Sequence, residues 1–118
     1  QLCLNHHKQL EQALGIAVIS TKVYSWTSPQ TAGEKAQIDL IIERADKVIN
    51  ICEMKFYDGD YVMKKKDYDD IERRVRVFRS TNGIRQAIHP VLVTTYGLAN
   101  NQYSSAFQNV VTLKDLFK

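Results

Sequence analysis

The stretch QIDLIIERADKVINICEMKF, residues 37–56, contains two apolar runs joined by the short polar segment RADK. Runs of this length, rich in isoleucine and separated by a polar turn, predict a β-hairpin. Three charged residues lie inside the runs, Asp39 in the first and Glu53 and Lys55 in the second. Because an unpaired charge is costly to bury, these side chains require partners or a chemical role.

The segments on either side of the hairpin predict further helices and strands. Apolar residues recur every three or four positions from Leu2 to Leu14, which predicts a helix that Gly15 ends. We expect strands at residues 16–26, 87–96 and around 110–111, an amphipathic helix at 63–80 and a capped turn at 112–117. Pro90 indicates a sheet edge or the start of a strand. This order favours an α/β fold class, with a mixed sheet flanked by helices.

The composition predicts a single globular domain that occupies residues 1–118. Hydrophobic residues make up 44% of the chain and charged residues 25%, which suffices for an ordinary core. The net charge of +3 permits a polyanionic partner without requiring one. No apolar run approaches the roughly 18 residues of a membrane span, so we expect no membrane partner. Cys3 and Cys52 lack CxxC spacing, which favours buried thiols in a reducing cytoplasm.

Alternation along the second hairpin strand separates its charged residues from its apolar ones. Alternate residues of a strand share a face, so Glu53 and Lys55 are expected side by side. Cys52, Met54 and Phe56 are then expected on the opposite face, in the core.

Asp39 lies across the predicted hairpin from Glu53. With a turn near residues 45–47, the two carboxylates approach each other if the strand register agrees. Two carboxylates in a partly buried place repel each other, and a divalent cation relieves that repulsion. Mg²⁺ and Mn²⁺ prefer carboxylate oxygens, carbonyl oxygens and water. With the ammonium of Lys55 beside such a site, the chemistry is that of metal-assisted phosphodiester hydrolysis.

These residues resemble a known family. Asp39 followed by EMK at residues 53–55, within a hairpin that precedes a helix and a strand, resembles the PD-(D/E)xK nuclease superfamily. That resemblance implies a restriction-endonuclease-like α-β-β-β-α-β core. The segments at 33–56, 93–98 and 111–117 resemble more specifically the C-terminal nuclease-like domain of archaeal-type AAA+ ATPase-like bacterial proteins. An N-terminal ATPase domain of the same protein would then precede this chain.

The resemblance also implies roles for individual residues. Asp39, Glu53 and the backbone carbonyl of Met54 would hold Mg²⁺ or Mn²⁺, and Lys55 would be the catalytic lysine. Gln37, two residues before Asp39, would contact the phosphate or the water around the metal.

Two residues of the first helix are candidates to support the site. Many members of the superfamily carry a supporting glutamate on this helix, and Glu11 is the candidate here. His6 falls in the apolar stripe and is either a core histidine or one close to the site. Ile38 stands where the superfamily usually has proline before the aspartate, which departs from the pattern.

Other interpretations of these residues stay open. The three charges also fit an ordinary salt-bridge cluster within the sheet. The mixed-charge helix is either a solvated face or a contact surface for a phosphate backbone, made by Lys64, Lys65, Arg73 and Arg74. We therefore expect a nuclease acting on nucleic acid, DNA in preference to RNA, coupled to the ATPase. The alternative is an inactive module that binds nucleic acid or its own ATPase domain, and a homo-oligomer is compatible with either.

Overall fold

The computed structural model describes residues 6–31 and 33–117. The elements, in chain order, are α1 (His7–Ala13), β1 (Thr21–Thr27), β2 (Gln37–Arg44), β3 (Val48–Lys55), α2 (Lys65–Asn82), β4 (Ala87–Thr94), a 3-10 turn (Ser104–Ala106), β5 (Asn109–Thr112) and α3 (Leu113–Leu116). The strands form one sheet in the order β1-β2-β3-β4-β5. The first three strands are antiparallel, and β3, β4 and β5 are parallel. The predicted α/β class with a mixed sheet is confirmed.

The hairpin formed by β2 and β3 supplies the centre of the sheet. Its antiparallel register pairs Leu40 with Cys52 and Glu43 with Ile49, and its turn occupies residues 45–47 as predicted. Along its other edge β3 pairs in parallel with β4 over its whole length. A strand with neighbours on both sides and helices over both faces is mostly buried, which explains its nearly continuous apolar sequence.

The helices divide the core into two layers, one on each face of the sheet. On one face α1 and α3 contribute to a cluster made of Leu10, Ile16, Leu40, Ile42, Cys52, Val91, Val93, Val111 and Leu116. On the other face Phe78 of α2 packs against Ile38, Ile41, Ile49 and Ile51. The predicted apolar face of α2, which runs through Tyr68, Ile71, Val75 and Phe78, packs onto this second layer. No helix within the described residues is both long and apolar enough to cross a lipid bilayer.

Some predicted boundaries were wrong. β1 begins at Thr21 rather than at residue 16, because its partner β2 ends at Arg44, which pairs with Thr21. Ile16 is instead buried in a turn, where its carbonyl accepts a hydrogen bond from the N–H of Ile19 at 2.9 Å. Phe56, predicted to be in the core, is 43% exposed because β3 ends one residue earlier. Leu2 and Cys3 lie outside the described residues.

Pro90 has a specific position in β4. This strand lies between β3 and β5 and is not an edge strand. However, β5 pairs with β4 only from Val91 onward, so Pro90 lies where one side of β4 has no strand neighbour. The proline therefore removes no hydrogen bond to β5.

Gly83 ends α2 in the left-handed conformation, with φ of 60°. A Cβ atom at this position would meet nothing within 4 Å, so a substitution there is opposed by backbone conformation alone. We expect Gly83→Ala to lower the free energy of unfolding by about 1 kcal/mol, measured by urea denaturation. Gly59 also has open space and no positive φ, so Gly59→Ala is the control and should change stability by less than about 0.5 kcal/mol. Equal effects of the two substitutions would contradict this explanation.

Candidate active site

The charged residues of β3 lie at the end of the strand, where the strand is less deeply buried. The strand is buried from Ile49 to Cys52 and becomes half-buried from Glu53 onward. Lys55 Nζ lies 3.7 Å from Glu53 Oε1, and the side chains are 32% and 18% exposed. Met54, on the opposite face, packs against the cluster beneath α1 and α3. The predicted separation of charged from apolar residues is thus confirmed for these residues.

The strand register brings Asp39 to the same place. The pairing of β2 with β3 ends at Leu40 and Cys52, so Asp39 and Glu53 are the next residues at the same end of the hairpin. The charge of Asp39 raises the pKa of Arg74, whose guanidinium is paired with Glu53, so both carboxylates act on the same side chain. Gln37 Nε2 donates a hydrogen bond to Asp39 Oδ1 at 3.3 Å. The structure therefore brings together the two predicted carboxylates, the predicted lysine and Gln37.

An irregularity in β2 lies beside Asp39. Tyr24 pairs with Ile41 and Trp26 with Ile38, so two residue steps along β1 correspond to three residue steps along β2. The extra residue of β2 lets Ile38 and Ile41 both reach the cluster beneath α2, although strict alternation would separate them. Bulges of this kind often redirect a side chain next to a functional site.

Arg74 of α2 is part of the cluster, although the sequence predicted it as a nucleic-acid contact. Its Nη1 donates to Oε2 of Glu53 in a short ion pair, and its side chain is only 25% exposed. Burial opposes its charged form, but the ion pair with Glu53 and the charges of Asp70 and Asp39 raise the pKa of Arg74 above its ordinary value. The two oxygens of Glu53 therefore face two different cations, Arg74 and Lys55.

A crevice beside this ion pair adds residues that the sequence did not reveal. Tyr61, Asp67, Asp70 and Ile71 line it together with Glu53, Lys55 and Arg74. Burial, and then the charge of Asp67 and a hydrogen bond to it, raise the pKa of Tyr61 above its ordinary value. Asp67 Oδ2 also accepts the backbone N–H of Lys64 at 2.9 Å, which anchors the start of α2. The spacing of Lys64 and Asp67 hints at a helix start, but no sequence pattern indicates the position of Tyr61.

Glu11 lies elsewhere in the fold. It is 7% exposed, accepts a hydrogen bond from Thr21 Oγ1 at 2.9 Å and lies 3.9 Å from His7 Nε2. Thr21 pairs with Arg44, five residues along β2 from Asp39, which corresponds to roughly 16 Å. The structure therefore does not bring Glu11 to the site, because α1 packs near the other end of the hairpin.

His6 also lies away from the carboxylates. Its ring packs edge-on against Phe117, with the ring centroids 5.5 Å apart. This contact joins the beginning of α1 to the residue after α3, on the sheet face opposite α2. Of the two interpretations of His6, packing within the fold is the one that the structure favours.

The other basic residues predicted to contact nucleic acid lie on α2 or at its start. Lys65 pairs with Asp69 and Arg73 with Asp70, each at 2.9 Å, and Lys64 is exposed. Such pairs on an exposed helix contribute little to stability. The contact with a phosphate backbone stays a prediction.

Comparison with known proteins supports the fold alone. No protein-family model matches the chain, and no curated protein matches it. The chain is similar to the crystal structure of AF1548, a protein of unknown function, with a TM-score of 0.60 and 16% sequence identity. The match covers 96% of this chain and 64% of that one, so this chain spans less than two thirds of its length.

The oxygen atoms at the site suit a hard divalent cation. Over residues 6–31 and 33–117, no group of three or more His, Cys, Asp or Glu side chains is placed to hold a metal ion. Mg²⁺ sites commonly use one or two carboxylates, with water and substrate phosphate completing the octahedron. Asp39 and Glu53 match that smaller set, and a backbone carbonyl at Met54 would extend it.

The raised pKa of Tyr61 predicts a loss of stability in alkali. The folded protein holds Tyr61 neutral above its ordinary pKa of 10.0, so its stabilisation is complete below about pH 10 and lost as the pH rises through the folded pKa. Tyr24, whose pKa burial and Glu43 raise to about 12, acts in the same direction. We expect Tyr61→Phe to show a shallower fall in unfolding free energy above pH 10 than the wild type, measured by urea denaturation. An unchanged slope would contradict this account.

Proposed function

We propose that this domain is a metal-dependent nuclease of the PD-(D/E)xK superfamily that hydrolyses phosphodiester bonds in nucleic acid, DNA in preference to RNA. The observation that carries the proposal is that Asp39, Glu53 and Lys55 lie at the same end of two adjacent strands, with Asp39 and Glu53 both acting on Arg74. The element order helix, three strands, helix, strand matches the core of that superfamily and supports the proposal. In the full protein an N-terminal ATPase domain would drive or control the nuclease. We place the protein in the cytoplasm on the basis of its cysteine usage.

Each residue would have a defined task. Asp39, Glu53 and the Met54 carbonyl would hold Mg²⁺ or Mn²⁺, which when bound polarises a phosphoryl oxygen and acidifies water. Lys55 donates hydrogen bonds to the attacking water and so fixes its direction, and its charge stabilises negative charge that develops on phosphoryl oxygens. Gln37, hydrogen-bonded to Asp39, holds that carboxylate in orientation.

A second function is favoured by the ion pair between Arg74 and Glu53. With Arg74 at one oxygen and Lys55 near the other, the charge of Glu53 is balanced without any metal. On this hypothesis the domain is an inactive module that binds nucleic acid or its own ATPase domain. The cluster is then a structural salt bridge between α2 and β3.

Calorimetric titration with Mn²⁺ separates the two functions. We expect saturable binding to the wild-type protein that Glu53→Gln abolishes and Asp39→Asn weakens by at least about tenfold, since each removes a charged oxygen ligand. Glu43→Gln is a matched control, because Glu43 is a β2 carboxylate that accepts a hydrogen bond from Tyr24 away from the site. Absence of binding to the wild type would overturn the metal site and favour the inactive module.

The role of Lys55 is tested by cleavage. We expect Lys55→Ala to reduce Mg²⁺-dependent cleavage of DNA by the full-length protein about 100-fold or more, with circular dichroism unchanged. Lys22→Ala, which removes an exposed lysine from β1, should cleave like the wild type. If Lys55→Ala cleaves at the wild-type rate, Lys55 has no part in the chemistry.

A further inference from the structure

Arg74 lies between two depressions of the surface. One is the crevice that contains Glu53 and Lys55. The other is a groove formed by the end of β1, the loop to β2 and α2, lined by residues 27–30 and 35–37 together with Arg73 and Arg74. Among the described residues, Arg74 is the one that lines both. A modest rotation of its long side chain would therefore move the guanidinium from one to the other.

The two depressions differ in charge. The crevice contains the carboxylates of Glu53, Asp67 and Asp70. The groove is lined by Lys35, Arg73 and Arg74 with neutral residues, and no acidic residue is among its described lining. Guanidinium groups bind phosphate through paired hydrogen bonds, so this groove complements a phosphate group.

The loop that forms one wall of the groove is held at its base. The N–H of Ala36 donates to Ser28 Oγ at 2.9 Å, and the N–H of Ser28 donates to the carbonyl of Ala36 at 2.9 Å. Gln37, which lines the groove, is hydrogen-bonded to Asp39 of the proposed metal site. The groove and the site are therefore contiguous and built on the same strand.

Arg74 and a divalent cation would compete for one carboxylate. Arg74 Nη1 donates to Glu53 Oε2, the oxygen that faces α2, while Lys55 lies 3.7 Å from the other oxygen. A divalent cation bound to Glu53 would stand within a few ångströms of the guanidinium, and like charges at that distance repel strongly. Metal binding at Glu53 therefore favours departure of Arg74.

We propose that Arg74 exchanges between Glu53 and a phosphate group of a nucleic-acid strand bound in the groove, so that the divalent cation and the substrate bind cooperatively. This inference rests on the proposed nuclease function and adds its regulation. A phosphate in the groove draws Arg74 away and frees Glu53 for the metal. By thermodynamic linkage, the metal strengthens phosphate binding by the same factor. Without substrate, Arg74 keeps the metal site weak.

The test is the Mn²⁺ affinity in chloride and in sulfate at equal ionic strength, with sulfate as the phosphate-like probe. We expect sulfate to tighten Mn²⁺ binding to the wild type by about tenfold. Arg74→Gln should bind Mn²⁺ about tenfold more tightly than the wild type in chloride and should not respond to sulfate. A short single-stranded phosphorothioate oligonucleotide, used in place of sulfate, should reproduce the effect.

Arg76→Gln is the matched control. It removes one positive charge from α2 two residues further on, where Arg76 pairs with the exposed Glu34 at 2.7 Å. This variant should retain the wild-type affinity and sulfate response, since Arg76 lines neither the crevice nor the groove. If Arg74→Gln and Arg76→Gln gained Mn²⁺ affinity equally, the change in net charge alone would explain the gain, and the proposal would be overturned.

The remaining outcomes are distinct. If Glu53→Gln abolishes Mn²⁺ binding but Arg74→Gln binds like the wild type or more weakly, the nuclease function stands and the exchange of Arg74 is overturned. If neither the wild type nor any variant binds Mn²⁺, both the metal site and the exchange of Arg74 are overturned.

Arg74→Lys keeps the positive charge and provides a second variant should Arg74→Gln fold poorly. In chloride, its lysine should still compete with Mn²⁺ for Glu53. A double-mutant cycle of Glu53→Gln and Arg74→Gln in chelator must show a favourable coupling, and no coupling would contradict the ion pair itself.

Discussion

The central position of β3 is the constraint on which the site depends. Strands on both sides and helices on both faces leave its middle residues, Ile49 to Cys52, no access to water. Its last residues are less deeply buried by these helices and strands. One face can therefore carry Glu53 and Lys55, while Met54 still packs against the core on the other face. Charges that look misplaced within an apolar run thus occupy the open end of the strand. Partial exposure lowers the cost of desolvation and leaves the carboxylate reachable by a ligand.

The two ends of the hairpin show different kinds of charge cluster. At the turn end Arg44 donates to Asp46, two residues away, with Nε at 2.9 Å, and to Asn50 Oδ1 at 3.1 Å. Those partners are neighbours in sequence and close the turn. At the open end Glu53 is paired with Arg74, twenty-one residues away on another element. The pair at the open end joins two elements and lines a crevice, where a charged group with a shifted pKa, such as Arg74, marks a candidate functional site.

Local patterns account for what the sequence predicts correctly. The hairpin, its turn and the face shared by Glu53 and Lys55 follow from apolar periodicity and short-range geometry. The placement of Asp39 and Glu53 at the same end of the hairpin follows once the register is known, because the pairing of β2 with β3 ends at Leu40 and Cys52. The position of Arg74 depends on how α2 lies across the sheet, which no local pattern specifies. Glu11 was wrongly expected near the site for a similar reason. The resemblance assigns it to the first helix but does not specify at which end of the sheet that helix packs.

The charge balance of the cluster links its two candidate functions. Asp39 and Glu53 carry two negative charges, and Lys55 and Arg74 carry two positive ones, so these four residues are neutral together. A divalent cation bound to Glu53 would lie beside the positive charges of Arg74 and Lys55, and their repulsion is unfavourable. Departure of Arg74 and arrival of a phosphate restore the balance. Under the proposed exchange of Arg74, a cluster that is complete as a salt bridge without substrate would become a metal site when substrate binds. The ion pair between Arg74 and Glu53 is therefore consistent with both candidate functions.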